Sequence, residues 1–138
     1  IHRVERCQVH TKEVVLGTCR YYINDWAFMH YLYPFFVRER EVKFRNHVCL
    51  ELKHAGYRVN VGVHRNKVID FMAPKDDRII YIQCVSTLEN EVAMQASYAS
   101  LESIQDNYEK WVVSLDKTML PSKEGIRHIQ AWKLAEML

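Results

Sequence analysis

The sequence predicts an α/β layer domain in which helices cover both faces of a sheet. Two observations lead to this class. The patterns follow one another as a helix, a meander of three strands, a second helix and a further strand. The second and third predicted strands are apolar on both faces, which is typical of a sheet that is covered on both sides.

Length and composition restrict the class of protein. The 138 residues suffice for one domain, and 49% hydrophobic with 26% charged residues are the proportions of a folded globule. No apolar run has the length of a transmembrane helix. A net charge of +2 does not by itself indicate a nucleic-acid-binding protein. The four cysteines form no C-x-x-C pair, so we expect reduced thiols and a cytoplasmic protein.

The first third of the chain predicts extended segments followed by an aromatic stretch. The residues from Val4 to Leu16 have an extended pattern, interrupted by the polar turn His10-Thr11-Lys12-Glu13. Eight aromatic residues follow between Tyr21 and Phe36, where Asn24 or Asp25 can cap a short helix. Such density fits a base-stacking platform, a docking face or core. We favour core, since large apolar side chains are most often buried.

A charged cluster precedes the first helix of the predicted core. Its basic members are Arg38, Arg40, Lys43 and Arg45, with Glu39 and Glu41 interleaved. Because the acids half-cancel the bases, we interpret the cluster as a solvated helix start or linker rather than a phosphate-binding patch.

The predicted core begins with a helix from Lys43 to Ala55, which Gly56 ends. Three extended runs follow as strands: Tyr57–His64, Lys67–Ala73 and Arg78–Ser86. Tight turns join them at Arg65-Asn66 and at residues 74–77.

The remaining elements alternate again between helix and strand. Ser86 and Glu89 have the spacing of a capping box, which predicts a second helix reaching about Gln105. The apolar runs Trp111–Leu115 and Ile126–Trp132 predict short strands, and residues 133–138 a final helical turn.

Three oxygen-bearing side chains fall in or near the predicted interior. Glu51 lies within or beside the apolar stripe of the first helix. Asp70 shares a strand face with Val68 and Met72, and Gln83 lies on the next strand. We expect the three to meet in one pocket. Such oxygens can bind Mg²⁺, which can activate water for phosphodiester cleavage.

Structural roles are the alternative, and composition alone favours them, since most buried polar groups are structural. Asp70 would then cap a turn, Gln83 would satisfy backbone groups, and Glu51 would pair with His47 or a lysine. The spacing of His47, Glu51 and His54 also fits a transition-metal site, although no third strong ligand accompanies the two histidines.

An ordered series of motifs resembles a known domain over nearly the whole chain. The motifs are RNHVCLELKHAGYRVNVGVHRNKVIDFMAPKDDRIIYIQCVSTL at residues 45–88, Tyr21-Tyr22-Ile23-Asn24-Asp25, DNYEKWVVSLD at 106–116, and Gly125-Ile126-Arg127-His128-Ile129. The chain resembles the C-terminal domain of unknown function of bacterial and archaeal AAA-type P-loop ATPases. The resemblance implies that residues 1–42 lead from an absent ATPase or winged-helix portion, and that residues 43–138 form a nuclease-like core.

That domain is similar to the restriction-endonuclease-like, PD-(D/E)xK superfamily, which implies a mixed central sheet flanked by helices. Carried over, Glu51 matches the helix acid, Asp70 the strand acid and Gln83 the first residue of the last motif. Together they would bind Mg²⁺ and position water. Val85 occupies the place of the motif lysine and cannot activate or stabilise a nucleophile. Lys53 or Lys67 would have to substitute for it.

Three functions remain open. We favour a catalytically degenerate nuclease-like module that binds DNA or a partner protein. The alternatives are an active Mg²⁺-dependent endonuclease using Glu51, Asp70 and Gln83, and a structural docking domain for the ATPase. The chain contains no G-x-x-x-x-G-K-[ST] motif, so ATP would bind only upstream, in the ATPase domain of the same protein. Because the chain begins at Ile1, we expect a piece of a longer protein.

Overall fold

The computed structural model describes residues 1–34 and 40–138, in which seven strands form one mixed sheet flanked by helices. The strands are β1 (His2–Gln8), β2 (Val14–Tyr22), β3 (Asn60–His64), β4 (Lys67–Lys75), β5 (Arg78–Val85), β6 (Glu109–Ser114) and β7 (Ile126–Gln130). The helices are α1 (Trp26–Leu32), α2 (Arg40–His54), α3 (Glu91–Glu102) and α4 (Leu134–Met137), which follows a 3-10 turn at Ala131–Lys133. The predicted α/β class and the mixed sheet are confirmed.

The strands lie in the order β2-β1-β3-β4-β5-β6-β7. The strands β3, β4 and β5 form the antiparallel meander at the centre. On one side β6 and β7 add in parallel. On the other side β1 runs parallel to β3 and pairs antiparallel with β2. The first 22 residues therefore extend the same sheet.

Two apolar cores lie on opposite faces of the sheet. On one face α2 packs Phe44, Val48 and Leu52 against residues such as Phe71 and Trp111. On the other face α3 contributes the buried residues Tyr98 and Leu101, which join a core with Ile69, Met72, Tyr81 and Val112. Burial on both faces explains why the central strands are apolar on both sides.

The first turn of the meander is the predicted tight turn, and the second is tighter than the sequence suggested. Arg65 and Asn66 have φ of 45° and 64°, which suits a two-residue hairpin turn. The second turn consists of Asp76 and Asp77 alone, because Pro74 and Lys75 remain paired with β5. Gly56, with φ of 86°, follows the end of α2 as predicted.

The predicted capping box of the second helix is wrong. The helix begins at Glu91, and the Asn90 side chain accepts hydrogen bonds from the backbone N–H groups of Val92 and Ala93. The preceding residues form a loop instead, because the Asp116 carboxylate accepts from the Thr87 hydroxyl and the Leu88 N–H.

The prediction that the aromatic stretch is core is wrong for most of its described members. Asp25 caps α1 as expected, yet no residue of this helix is buried. Tyr22 is buried, but the exposed fractions of Tyr21, Phe28, Tyr31 and Tyr33 are 65%, 61%, 82% and 58%. Phe35 and Phe36 lie outside the described residues, as do Arg38 and Glu39 of the charged cluster.

Candidate functional site around Asp70

A β-bulge in β4 determines where Asp70 points. Asn60 pairs with Met72 and Gly62 with Ile69, so that two residues of β4, Asp70 and Phe71, face the single residue Val61 of β3. A bulge of this kind bends a strand and redirects its side chains. The predicted face shared by Asp70 and Met72 is therefore wrong. Met72 packs into the core beneath α3, whereas Asp70 reaches α2.

The Asp70 carboxylate is buried and fully engaged with protein donors. Its Oδ1 atom accepts from Arg20 Nη1 and from Arg45 Nε, each at 3.1 Å. Its Oδ2 atom accepts from the backbone N–H of Cys84 at 3.0 Å. One side chain thus joins β2, α2, β4 and β5. Each partner is a cation or a backbone donor, as a buried carboxylate requires.

Gln83 joins the two strands at the same place, from the other side of β5. Its neighbours on alternate positions, Tyr81 and Val85, belong to the core beneath α3. Its Oε1 accepts from the Asp70 N–H at 3.0 Å, and its Nε2 donates to the Val68 carbonyl at 3.1 Å. The backbone pairing of β4 with β5 begins at Phe71 and Ile82. Before this pair, the Gln83 carboxamide provides the hydrogen bonds to the β4 backbone in place of the backbone of β5. This is the structural role in which Gln83 satisfies backbone groups.

Glu51 does not join Asp70 and Gln83. Its carboxylate lies 4.0 Å from His47 Nε2, which is the pairing considered as its structural alternative. Six residues separate Glu51 from Arg45 on α2. At the helical repeat they lie about 9 Å apart along the axis and about 120° apart around it. The expected common pocket of Glu51, Asp70 and Gln83 is therefore absent from the described part of the chain.

Val85 lies in a packed environment. Its exposed fraction is 7%, and it belongs to the core that contains Ile69 and Leu88. The position that the resemblance matches to a lysine thus faces apolar side chains beneath α3, away from the Asp70 carboxylate on the α2 face.

Sequence reasoning missed three of the charged groups around Asp70: Arg20, Glu41 and Arg45. A signal for two of them was present. Glu41, Arg45, Val48 and Leu52 follow one another at intervals of four, three and four residues, which places all of them on one face of a helix. For these two residues the interpretation as a solvated helix start is therefore wrong. Arg20 carried no such signal, because it comes from a remote strand.

Two buried oxygens near this cluster have no partner among the described residues. Glu41 Oε1 accepts from the Ser86 N–H at 2.9 Å, while its Oε2 is buried without a hydrogen bond. The Tyr22 hydroxyl is buried in the same way. Burial raises the pKa of Tyr22 to about 12, and Arg20 opposes this effect. Tyr22 therefore stays a neutral donor at physiological pH.

The buried thiol of Cys84 and the buried hydroxyl of Ser114 are not activated as nucleophiles. Burial raises the pKa of the Cys84 thiol, so it is not a thiolate. Ser114 Oγ lies 2.7 Å from His128 Nε2, which resembles a catalytic dyad. However, His128 Nδ1 accepts from the Leu120 N–H, so Nε2 carries the proton and donates to Ser114. The imidazole cannot act as the base for this serine in that tautomer.

The residues around Asp70 do not fit Mg²⁺. A cation would have to displace two guanidinium groups from Asp70 Oδ1, and both polar atoms of Gln83 are already used by the backbone of β4. Within residues 1–34 and 40–138, no group of three or more His, Cys, Asp or Glu side chains could hold a metal ion.

Comparison with known proteins adds one relative. An uncharacterized protein of Haemophilus influenzae is 35% identical over 72 residues, which are 52% of this chain and 17% of that protein. The matched segment is thus a small part of a much longer relative. No protein-family model and no solved structure matches the chain.

Among the helices of the described residues, none combines the length and the apolar character needed to cross a membrane.

Proposed function

We propose that this chain is a nuclease-like module that does not cleave and that binds DNA as part of a longer ATP-binding protein. The observation that carries the proposal is the state of Asp70. Two arginines occupy the carboxylate that an active nuclease would offer to a metal. Val85, buried in apolar surroundings, stands where the motif lysine would be.

The order of the secondary-structure elements supports this kinship. Helix α2 precedes the meander of β3–β5, and α3 and β6 follow it, which is the order that the resemblance implies. Asp70 and Gln83 lie side by side on adjacent strands, as the strand acid and the last motif of such a nuclease would. The match to a small part of a much longer protein agrees with a module that accompanies other domains. The described cysteines are free, which agrees with a reducing compartment such as the cytoplasm.

The test combines cleavage and binding. Supercoiled plasmid is incubated with Mg²⁺ or Mn²⁺ and with the wild-type chain or Asp70→Asn, and binding to a DNA duplex is measured over a range of salt concentrations. We expect no nicking above the buffer control. We expect binding that weakens steeply with salt, because phosphate contacts release counterions. Nicking that Asp70→Asn abolishes would instead establish the active endonuclease.

A second candidate is a docking domain, and the exposed aromatic side chains of α1 and of Tyr33, which follows it, favour this function. Phe28, Tyr31 and Tyr33 lie mostly in solvent, a placement typical of contact with another protein surface. In this case the partner would be the ATP-binding region of the same protein. A chain that neither nicks DNA nor binds it in a salt-dependent manner would favour this function over DNA binding.

A further inference from the structure

Two guanidinium groups lie side by side at the edge of the Asp70 cluster, and they are the basis of an inference that rests on the proposed function. Arg20 extends from β2 and Arg45 from α2, and both donate to the same oxygen of Asp70. We infer that Arg20 and Arg45 together bind one phosphate group of a nucleic-acid backbone. The two guanidiniums would then contact the phosphate from the place where a nuclease would carry its metal.

Both arginines have donors left for a ligand. A guanidinium carries five N–H donors in a planar fork that suits phosphate oxygens. Arg20 uses Nη1 on Asp70 and also lies beside the Tyr22 hydroxyl, whereas Arg45 uses Nε on Asp70, so each guanidinium keeps N–H groups that these contacts do not use. Their side chains are 31% and 32% exposed, so part of each group is open to solvent.

The pair is also held in place before any ligand arrives. Asp70 Oδ2 is fixed by the Cys84 N–H, and the bulge fixes the backbone of Asp70 itself. A long, flexible side chain loses conformational entropy when it binds, and a side chain that is already ordered loses less. Arg20 and Arg45 therefore differ from the freely exposed lysines and arginines elsewhere on the surface.

Glu41 is the group that opposes an anion at this site. Glu41 lies one helical turn before Arg45 on α2, and its Oε1 accepts from the Ser86 N–H. Ser86 lies two residues beyond Cys84, whose N–H donates to Asp70, so the four charges lie near one another. Two cations and two anions cancel, and Glu41 Oε2 has no donor to compensate it among the described residues. Removal of the Glu41 charge should therefore strengthen phosphate binding. A purely structural cluster has no reason to show this effect.

The experiment measures binding of a fluorescent DNA duplex by anisotropy as a function of salt. The variants are Arg20→Gln, Arg45→Gln, the double variant and Glu41→Gln. The matched controls are Arg127→Gln on the edge strand β7, at the opposite edge of the sheet, and Glu102→Gln at the end of α3. Thermal melts verify that each variant is folded.

Each single arginine variant should weaken DNA binding severalfold at fixed salt, with little change of the slope of log K against log salt, because the other arginine still contacts the phosphate. The double variant should reduce that slope by about 1, the value for one phosphate contact. Glu41→Gln should bind DNA severalfold more tightly at fixed salt, and both controls should behave as the wild type. If a neutral arginine variant does not fold, Arg45→Lys replaces it: lysine keeps the charge but loses the planar fork, so binding should weaken at an unchanged slope, while Glu41→Gln should still bind more tightly.

Failure of this inference can be distinguished from failure of the proposed function. Salt-dependent DNA binding with unchanged affinity and slope in the double arginine variant would refute the phosphate site and leave the proposed function standing. Tighter binding in Glu102→Gln as well as in Glu41→Gln would also refute it. A wild-type chain that binds no DNA would refute both. In a parallel arm, inorganic phosphate competes at matched ionic strength. If inorganic phosphate binds and this binding depends on Arg45, while DNA binding does not depend on Arg45, the site binds free phosphate, and the assignment to nucleic acid is wrong.

Discussion

The carboxamide of Gln83 provides a quantitative test of the link between β4 and β5. Gln83→Ala removes the donor to the Val68 carbonyl and the acceptor of the Asp70 N–H, and its side chain is 8% exposed. Two hydrogen bonds contribute about 1–3 kcal/mol in total, and the backbone groups left buried without partners add to the loss. We therefore expect the free energy of unfolding to fall by about 2–4 kcal/mol.

Urea denaturation followed by far-UV circular dichroism measures this loss. With a slope of about 2 kcal/mol/M, typical of a small protein, the midpoint should fall by about 1–2 M. Gln8→Ala, on an exposed position of β1, is the matched control and should stay within about 0.5 kcal/mol of the wild type. If Gln83→Ala is as stable as Gln8→Ala, the carboxamide does not replace the backbone ladder, and the account of the site is wrong.

Gln83→Glu separates the donor from the acceptor. The introduced carboxylate can still accept from the Asp70 N–H, but it cannot donate to the Val68 carbonyl and adds a negative charge beside Asp70. Once protonated it can donate again. The loss of stability relative to the wild type should therefore be greater at pH 7 than at pH 4.5. An equal loss at both pH values would show that the Val68 bond contributes nothing.

Three further predictions concern other parts of the fold. Burial lowers the pKa of His64 and of His128, so below about pH 6.5 the unfolded chain binds more protons than the folded chain. The free energy of unfolding should therefore stay constant above that pH and fall below it by up to about 2.7 kcal/mol per pH unit for the two groups together. A urea midpoint that does not change between pH 5 and 7.5 would contradict this. In the same assay, Asn90→Ala should lower the free energy of unfolding by about 1 kcal/mol and Ser86→Ala by clearly less, because Asn90 caps the helix. The reverse order would indicate that Ser86 is the helix cap. Val85→Lys buries an amine among apolar side chains, so the free energy of unfolding should fall by more than about 3 kcal/mol and plasmid should not be nicked. A stable variant that nicks plasmid would show that this position faces the Asp70 carboxylate.

Local patterns were sufficient for most of the central elements. The helix before Gly56, the three strands of the meander, the turn at Arg65-Asn66 and the strand around Trp111 are all present. Each of these depends on contacts within a few residues and on which faces are apolar. Such information is contained in the order of the residues.

The arrangement at Asp70 could not be derived in this way. A strict alternation assigned Asp70 to the wrong face, because a bulge shifts the register by one residue and only the pairing with β3 reveals it. The same limitation applies to the helix cap. Asp116, more than twenty residues away, binds the loop that the local spacing had assigned to the helix.

The order of the residues was enough to predict the α/β class, the covered central strands, and the position of Asp70 and Gln83 on neighbouring strands. The chemistry of these two side chains depends on the fold. Arg20 comes from a hairpin fifty residues before Asp70, and Arg45 from a helix on one face of the sheet; both reach the carboxylate because chain topology brings these elements together. A charge in the interior takes its role from the groups around it, and these groups come from distant parts of the chain.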